Sequence, residues 1–196
     1  MITADRIMLV SWAVFLLVWL GLSFFVKRDV RGGRSARAYQ GRVIVLAIII
    51  LIVVTRSSRG HRSGADIFSN RFSLFVPSPT LVWLGAAFTA IGVAVAIWAR
   101  LYIGRNWSPR PAVKEEHELV TGGPYASVRH PIYSGIILAA LGTALTGTIF
   151  GAILFLFAVA LFLSRVGKEE RIMLELFPAA YPRYQSQTKR LIPFIW

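Results

Sequence analysis

The run PIYSGIILAALGTALTGTIFGAILFLFAVALFLS, residues 131–164, decides the fold because it holds no charged side chain. About 20 apolar residues cross a bilayer as a helix, so this run is too long for a single crossing. Small and hydroxyl residues near its middle predict a turn. They are Gly142, Thr146, Gly147, Thr148 and Gly151. We therefore expect a tight helical hairpin whose two arms have about 16 residues each.

Three apolar runs precede this hairpin and complete the predicted membrane region. Residues 7–26 and 80–99 are long enough to span the bilayer. The run at residues 43–54 is shorter than the length needed to cross a bilayer as a helix. We expect it to form a thin or tilted span, because Arg42 and Arg56 at its ends can snorkel to the interface. The predicted fold class is all-α and integral to the membrane, with five transmembrane segments.

The composition is that of a membrane protein. The 196 residues are 56% hydrophobic and 16% charged, whereas a soluble domain carries about a quarter charged residues. The net charge of +13 comes from basic loops beside apolar runs, which favours contact with anionic lipid over nucleic acid. The chain has no cysteine, which excludes disulfides and thiolate metal sites. We predict one domain, residues 1–196, with three spans in 1–99 and a catalytic, cofactor-binding region in 100–196.

The distribution of basic residues predicts the orientation. Six cations follow the first span, at Lys27, Arg28, Arg31, Arg34, Arg37 and Arg42. Cytoplasmic loops are enriched in Lys and Arg, so this loop is expected in the cytoplasm and the N-terminus outside. A cleaved signal peptide would carry its positive charge before the apolar run, so the first span is expected to be retained. Residues 100–130 and 165–196 then meet on the cytoplasmic side.

A polar, turn-rich stretch, LVTGGPYASVRHPIYSG at residues 119–135, leads into the hairpin. His130 precedes Pro131 and is pushed towards extended backbone, so a helix cannot continue through it. We expect free backbone amides and carbonyls here, where they suit a polar ligand at the membrane edge. His117, His130 and three nearby glutamates make a metal site conceivable, but their spacing matches no standard ligand pattern, so no metal is predicted.

Residues 165–177, RVGKEERIMLELF, predict an amphipathic helix that emerges from the last span. Arg165 and Glu169 are four residues apart and share a face of that helix. The simplest interpretation of Arg165 and Glu169 is an ordinary ion pair on the helix surface. The simplest interpretation of Tyr125 and Tyr133 is that they belong to a belt of aromatic residues at the membrane interface. The alternative is that these four side chains belong to one functional site.

Two runs carry a family resemblance. HELVTGGPYASVRHPIYSG resembles the cofactor motif of the isoprenylcysteine carboxyl methyltransferase family of integral membrane enzymes, and RVGKEERIMLELFPAAYPRYQSQTKRLIPFIW resembles its C-terminal signature of paired glutamates, two tyrosines and a closing Leu-Ile-Pro-Phe. The resemblance implies an S-adenosylmethionine site lined by His117, Glu118, Leu119, Val120, Gly123, Tyr125, Arg129, His130, Pro131, Ile132 and Tyr133. It places Arg165, Glu169 and Glu170 beside the substrate and the methyl group as catalytic residues.

The activity implied by the resemblance is methyl transfer to a lipophilic acceptor delivered from the bilayer, above all O-methylation of an isoprenylcysteine-like or other hydrophobic carboxylate. An ionised carboxylate needs no general base, and Arg165 would position it by a bidentate contact. A lipid amine, as in the related phospholipid N-methyltransferases, would instead need Glu169 or His130 as a base.

Two further classes stay open at this point. An NADPH-dependent membrane reductase of the sterol reductase type would use Arg110, Lys114 and Arg129 to hold a phosphate. A lipid-binding or scaffold protein would have no enzymatic activity. Apart from the acceptor and membrane lipid, we expect no nucleic acid and no obligate protein partner.

Overall fold

The computed structural model describes residues 3–23, 73–104, 107 and 118–196. Its helices are α1 (Ala4–Ser23), α2 (Pro79–Ile103), α3 (Pro131–Ala144), α4 (Ile149–Leu176) and α5 (Ala180–Gln187), with a 3-10 turn at Gly123–Ala126. Helices α1, α2 and α4 are long and apolar enough to cross a membrane, and α3 is a shorter apolar helix. The described part of the chain is therefore all-helical. The predicted span at residues 43–54 lies outside the described residues, so the total of five segments stays a prediction.

The predicted helical hairpin is confirmed. Within the uncharged run its arms are α3, with 14 residues, and residues 149–164 of α4, which agrees with the expected length of about 16 residues each. Helix α4 has 28 residues in all because the last span and the predicted amphipathic helix form one continuous helix. The hydroxyl of Thr148 caps α4 by accepting a hydrogen bond from the Gly151 amide at 3.2 Å. Helix α4 ends at Leu176, shortly before Pro178.

Helices α2 and α3 pack antiparallel with their backbones in contact. A Cβ atom on Gly135 would lie 2.5 Å from the carbonyl oxygen of Gly92, and one on Gly85 would lie 2.5 Å from that of Gly142. These two glycine pairs allow an approach that larger residues would block. Close packing of small residues is a main source of helix association inside a membrane, where lipid is as apolar as the helices.

Helix α1 packs beside α2 and runs in the same direction. Towards the N-terminal ends of the two helices, Met8 lies in one hydrophobic cluster with Ala86. Farther along the helices, Phe15 lies in a second hydrophobic cluster with Val93. The indole of Trp12 donates a hydrogen bond to the Thr143 hydroxyl at 3.0 Å, which ties α1 to α3 as well. The parallel direction agrees with the predicted alternation, in which the first and third spans run the same way.

The two ends of this bundle differ in character. At one end the hairpin turn lies against the start of α2, where the Leu74 amide donates to the Gly147 carbonyl at 2.7 Å. At the other end the buried guanidinium of Arg100 lies 4.4 Å from the centre of the Trp107 ring and donates to the Gly104 carbonyl at 2.8 Å. The described candidate residues all gather at this second end. Which side of the membrane it faces stays a prediction.

Candidate active site

The turn before α3 is held by Tyr125. Its buried hydroxyl donates to the carbonyl of Ala99 at 3.4 Å, and its own carbonyl accepts a hydrogen bond from the Tyr184 hydroxyl at 2.6 Å. Burial raises the pKa of Tyr125, and it raises the pKa of Tyr184 to about 12, so both phenols stay protonated donors at neutral pH. Gly123 has a φ of +58°, and a Cβ there would lie 2.5 Å from the ring of Tyr102. The positive φ therefore favours glycine at this position.

The C-terminal tail pairs with the backbone that leads into α3. The Arg129 amide donates to the carbonyl of Lys189 at 2.7 Å, and the His130 amide donates to that of Arg190 at 3.1 Å. The expectation of free backbone amides beside Pro131 was therefore wrong for these two residues. Their partners come from a segment about 60 residues later in the chain, which local sequence rules do not connect.

Glu170 lies at the centre of a buried ion-pair cluster and is 3% exposed. Its Oε1 accepts from Arg129 Nε at 2.8 Å, and its Oε2 lies 3.1 Å from both Nε and a terminal nitrogen of Arg190. The Arg129 guanidinium also donates to the Thr188 carbonyl at 2.5 Å. The cluster thus joins α4, the entry to α3 and the C-terminal tail. Arg129 is part of this frame, and its direct contact with a cofactor stays a prediction.

Replacing Glu170 by alanine is expected to lower the free energy of unfolding by about 3–5 kcal/mol, because it leaves two arginines without their buried counter-charge. Thermal or denaturant unfolding in detergent, followed by circular dichroism, measures the loss. Glu175→Ala is the matched control on an exposed position of the same helix and should stay within about 0.5 kcal/mol. Equal effects of the two substitutions would contradict a structural role for Glu170.

Glu169 has a different environment, although it is the next residue. Its side chain is 20% exposed, its Oε1 accepts a hydrogen bond from the Tyr133 hydroxyl and lies 3.5 Å from Arg165 Nε, and its Oε2 lies 3.6 Å from His130 Nδ1. The predicted ion pair of Arg165 and Glu169 is present. It is joined to Tyr133 and His130, so the interpretation that places these side chains together agrees with the geometry.

Three stacked rings form the wall of this region. The rings of His130 and Tyr133 are 5.5 Å apart and nearly parallel, and those of Tyr133 and Phe162 are 4.2 Å apart. Phe162 was not among the predicted site residues. Its position three residues before Arg165 and seven before Glu169 puts it on the same helical face, so helical spacing was the signal that marked it.

Four of the predicted cofactor residues pack together near the end of α2. Val120, Tyr125, Ile132 and Tyr133 belong to one apolar cluster with Ala99 of α2. Leu119 is half-buried, Glu118 is exposed, and Pro131 is the first residue of α3. His117 lies outside the described residues.

The side chains of this region suit a ligand that carries a positive charge and a polar ring. Among the residues described, His130 Nε2 is buried without a hydrogen-bond partner, although it lies 3.6 Å from Glu170. A buried ring nitrogen of this kind needs a partner, and a bound ligand can supply it. The partly exposed carboxylate of Glu169 and the stacked rings favour positive charge. Within the described part of the chain, no group of three or more His, Asp or Glu side chains is placed to hold a metal ion.

Three comparisons relate the chain to known proteins. The model of the isoprenylcysteine carboxyl methyltransferase family matches residues 84–175, from α2 to the end of α4. The chain is 35% identical over 192 residues to the protein-S-isoprenylcysteine O-methyltransferase of Schizosaccharomyces pombe, covering 92% of this chain and 81% of that protein. It is 31% identical over 128 residues to the Saccharomyces cerevisiae enzyme of the same name, covering 63% of this chain and 54% of that one.

A solved structure shows a similar fold. It is that of a eukaryotic intramembrane Ras methyltransferase of this family, with a TM-score of 0.52 and 20% identity, covering 100% of this chain and 99% of that one. The similarity in sequence extends over nearly the whole chain, and the matched family region contains both the turn before α3 and the paired glutamates of α4. The chain therefore belongs to the isoprenylcysteine carboxyl methyltransferase family and is an integral membrane methyltransferase.

Proposed function

We propose that this enzyme uses S-adenosylmethionine to methylate the carboxylate of an isoprenylcysteine-like or other lipophilic acceptor that enters from the bilayer. The observation that carries the proposal is the position of Glu169 and Arg165. They form an ion pair just after the uncharged part of α4, beside three stacked rings. An anion, a cation and aromatic faces are thus available at one place for a cationic donor and an anionic acceptor.

The described residues suggest how the donor is held. When bound, S-adenosylmethionine supplies an electrophilic methyl group on a sulfonium cation. Glu169 and the rings of Tyr133 and Phe162 would favour that charge, and His130 Nε2 would hydrogen-bond a polar atom of the donor. The lining would be completed by His117, Glu118, Leu119, Val120, Gly123, Tyr125, Arg129, Pro131 and Ile132.

The acceptor requires binding and alignment more than proton transfer. A carboxylate is already ionised at neutral pH, so no general base is needed. Arg165 would hold it by a bidentate contact, and the rest of the enzyme's contribution would be orientation and exclusion of water. We assign Glu170 to the frame of the site rather than to the reaction, since its carboxylate is already bound by Arg129 and Arg190.

The length of α3 supports access from the membrane. Its 14 residues cover about 21 Å, less than the ~30 Å of a hydrocarbon core. The start of α3, with His130 and Tyr133, would then lie close to the lipid. With the orientation predicted from the basic loops, this end faces the cytoplasm. We propose the acceptor and membrane lipid as partners, with no obligate protein partner.

Binding of the donor is tested with purified protein in detergent. Calorimetry should show binding of S-adenosylmethionine, and Tyr125→Ala and His130→Ala should each weaken it, because the first removes the anchor of the turn and the second removes the buried ring nitrogen proposed to contact the ligand. Folded protein that binds no S-adenosylmethionine would overturn the proposal.

The class of acceptor is tested separately. Membranes containing the protein are incubated with donor labelled in its methyl group, and the labelled product is treated with base. An ester releases its label, whereas label that resists base would favour the amine acceptor of an N-methyltransferase. Of the three side chains that the reductase alternative would use to hold a phosphate, Arg129 contacts Glu170 and the C-terminal tail, and Arg110 and Lys114 lie outside the described residues.

A further inference from the structure

The last residues of the chain form a compact apolar loop, here called the C-terminal hook (residues 191–196). The amides of Leu191 and Ile192 both donate to the carbonyl of Trp196, at 2.9 and 2.7 Å, and the Trp196 amide donates back to the Ile192 carbonyl at 3.1 Å. At its tip Phe194 has a φ of +67°. A non-glycine residue rarely adopts this conformation, so the hook is a defined structure that presents Phe194 outwards.

The outer face of the hook is apolar and exposed. Phe194 is 92% exposed, Ile195 is 74% exposed, and Ile192 is 50% exposed. Large apolar side chains that are exposed on a folded loop gain no free energy from burial in water. Their grouping on one short loop favours a contact with a partner or a membrane.

The position of the hook favours the bilayer as that partner. The hydroxyl of Ser134, in the first turn of α3, lies 2.5 Å from the carbonyl of Leu191, and the preceding residue Arg190 is bound to the His130 amide. The hook is therefore attached to the first turn of α3, where that apolar helix begins. An aromatic and apolar segment at this depth has the composition of the membrane interface.

The positive charge of the tail also favours a position beside anionic lipid. Residues 178–196 contain three cations, Arg183, Lys189 and Arg190, and no acid. The guanidinium of Arg190 lies 5.8 Å from the centre of the Trp196 ring, so cation and aromatic ring are joined at the base of the hook. Anionic lipid headgroups attract such a basic segment, while the apolar tip enters the acyl region below them.

We propose that the C-terminal hook is an interfacial anchor that inserts Phe194 and Ile195 into the bilayer beside the active site. Because Lys189 and Arg190, the two residues directly before the hook, pair with Arg129 and His130, the anchor holds the entry to α3 at the level of the lipid headgroups. This contact is a property of the fold and does not depend on which acceptor the enzyme methylates.

The chain has no cysteine, so a single introduced thiol carries a unique label. Phe194→Cys and, separately, Ile195→Cys are labelled with an environment-sensitive fluorophore and reconstituted into vesicles of phosphatidylcholine and phosphatidylglycerol. Ser186→Cys, on an exposed position of α5, is the control. We expect blue-shifted emission and quenching by spin-labelled lipid at positions 194 and 195, and several-fold stronger quenching by aqueous iodide at position 186.

A second substitution tests whether Phe194 itself inserts. In the labelled Ile195→Cys protein, Phe194→Asp should move the emission towards that of the Ser186 control. Labels at 194 and 195 that are as accessible to iodide as the control would overturn the proposal. So would protection that appears in detergent and increases with protein concentration, since that result indicates a second copy of the chain. The readout is fluorescence, so a failure here is distinct from a failure to bind or transfer a methyl donor.

Discussion

Glu169→Gln is expected to reduce kcat/KM for methyl transfer by about 100-fold, the scale seen when one preorganised electrostatic contact is removed from an active site. Glutamine keeps the size of the side chain and can still accept the hydrogen bond of Tyr133. It removes the negative charge that lies 3.5 Å from Arg165 and faces the proposed donor. The loss should therefore appear in activity rather than in folding. Initial rates with labelled methyl donor, at several acceptor concentrations, measure it.

The neighbouring residues provide matched controls for Glu169. Glu175→Gln removes the same charge from an exposed position of α4 and should leave the rate unchanged. Glu169→Gln should also unfold at a temperature close to that of the unchanged chain, whereas Glu170→Ala should unfold earlier. A Glu169→Gln enzyme with activity within a few-fold of the original would mean that this carboxylate does not take part in the reaction.

Gly135→Ala is expected to destabilise the helix bundle by about 3 kcal/mol or more, because overpacking of a close interface displaces backbone. The added methyl group would lie 2.5 Å from the Gly92 carbonyl oxygen and 2.7 Å from the Ala96 amide nitrogen. Neither atom is the end of a flexible side chain, so α2 and α3 must move apart. Thermal unfolding in detergent, followed by circular dichroism, measures the change.

Gly167→Ala is the control for this substitution. Gly167 also lies within a helix, but a Cβ there would meet nothing within 4 Å. Alanine is a better helix former than glycine, so this change should be neutral or stabilising by up to about 1 kcal/mol. If Gly135→Ala were as stable as Gly167→Ala, the close contact of α2 and α3 would not be what holds the bundle together.

Much of the architecture was predictable from local signals. The uncharged run at residues 131–164 predicted a hairpin, and the structure places the turn between Ala144 and Ile149. The spacing of Arg165 and Glu169 predicted their ion pair, since residues four apart share a helical face. The Gly-Gly-Pro turn was also recognised in advance, because its motif is local, whereas the predicted contact of Tyr125 with a cofactor stays a prediction.

The roles of Glu169 and Glu170 were not predictable in the same way. Adjacent residues on a helix point about 100° apart, so one of the two faces the stacked rings and the other faces the tail. Deciding which required the positions of Arg129 and Arg190, which come from different segments of the chain. The pairing of residues 129 and 130 with the tail was missed for the same reason.

The sequence by itself determined that the chain is a membrane protein, where its hairpin turns, and which family its motifs resemble. These properties depend on residue type and on spacing within one segment, which the order of amino acids contains directly. Only the tertiary structure decided that Glu170 supports the site while Glu169 faces it, and that the C-terminal hook lies beside α3. Those assignments depend on distances between segments far apart in the chain, and such distances are set by packing.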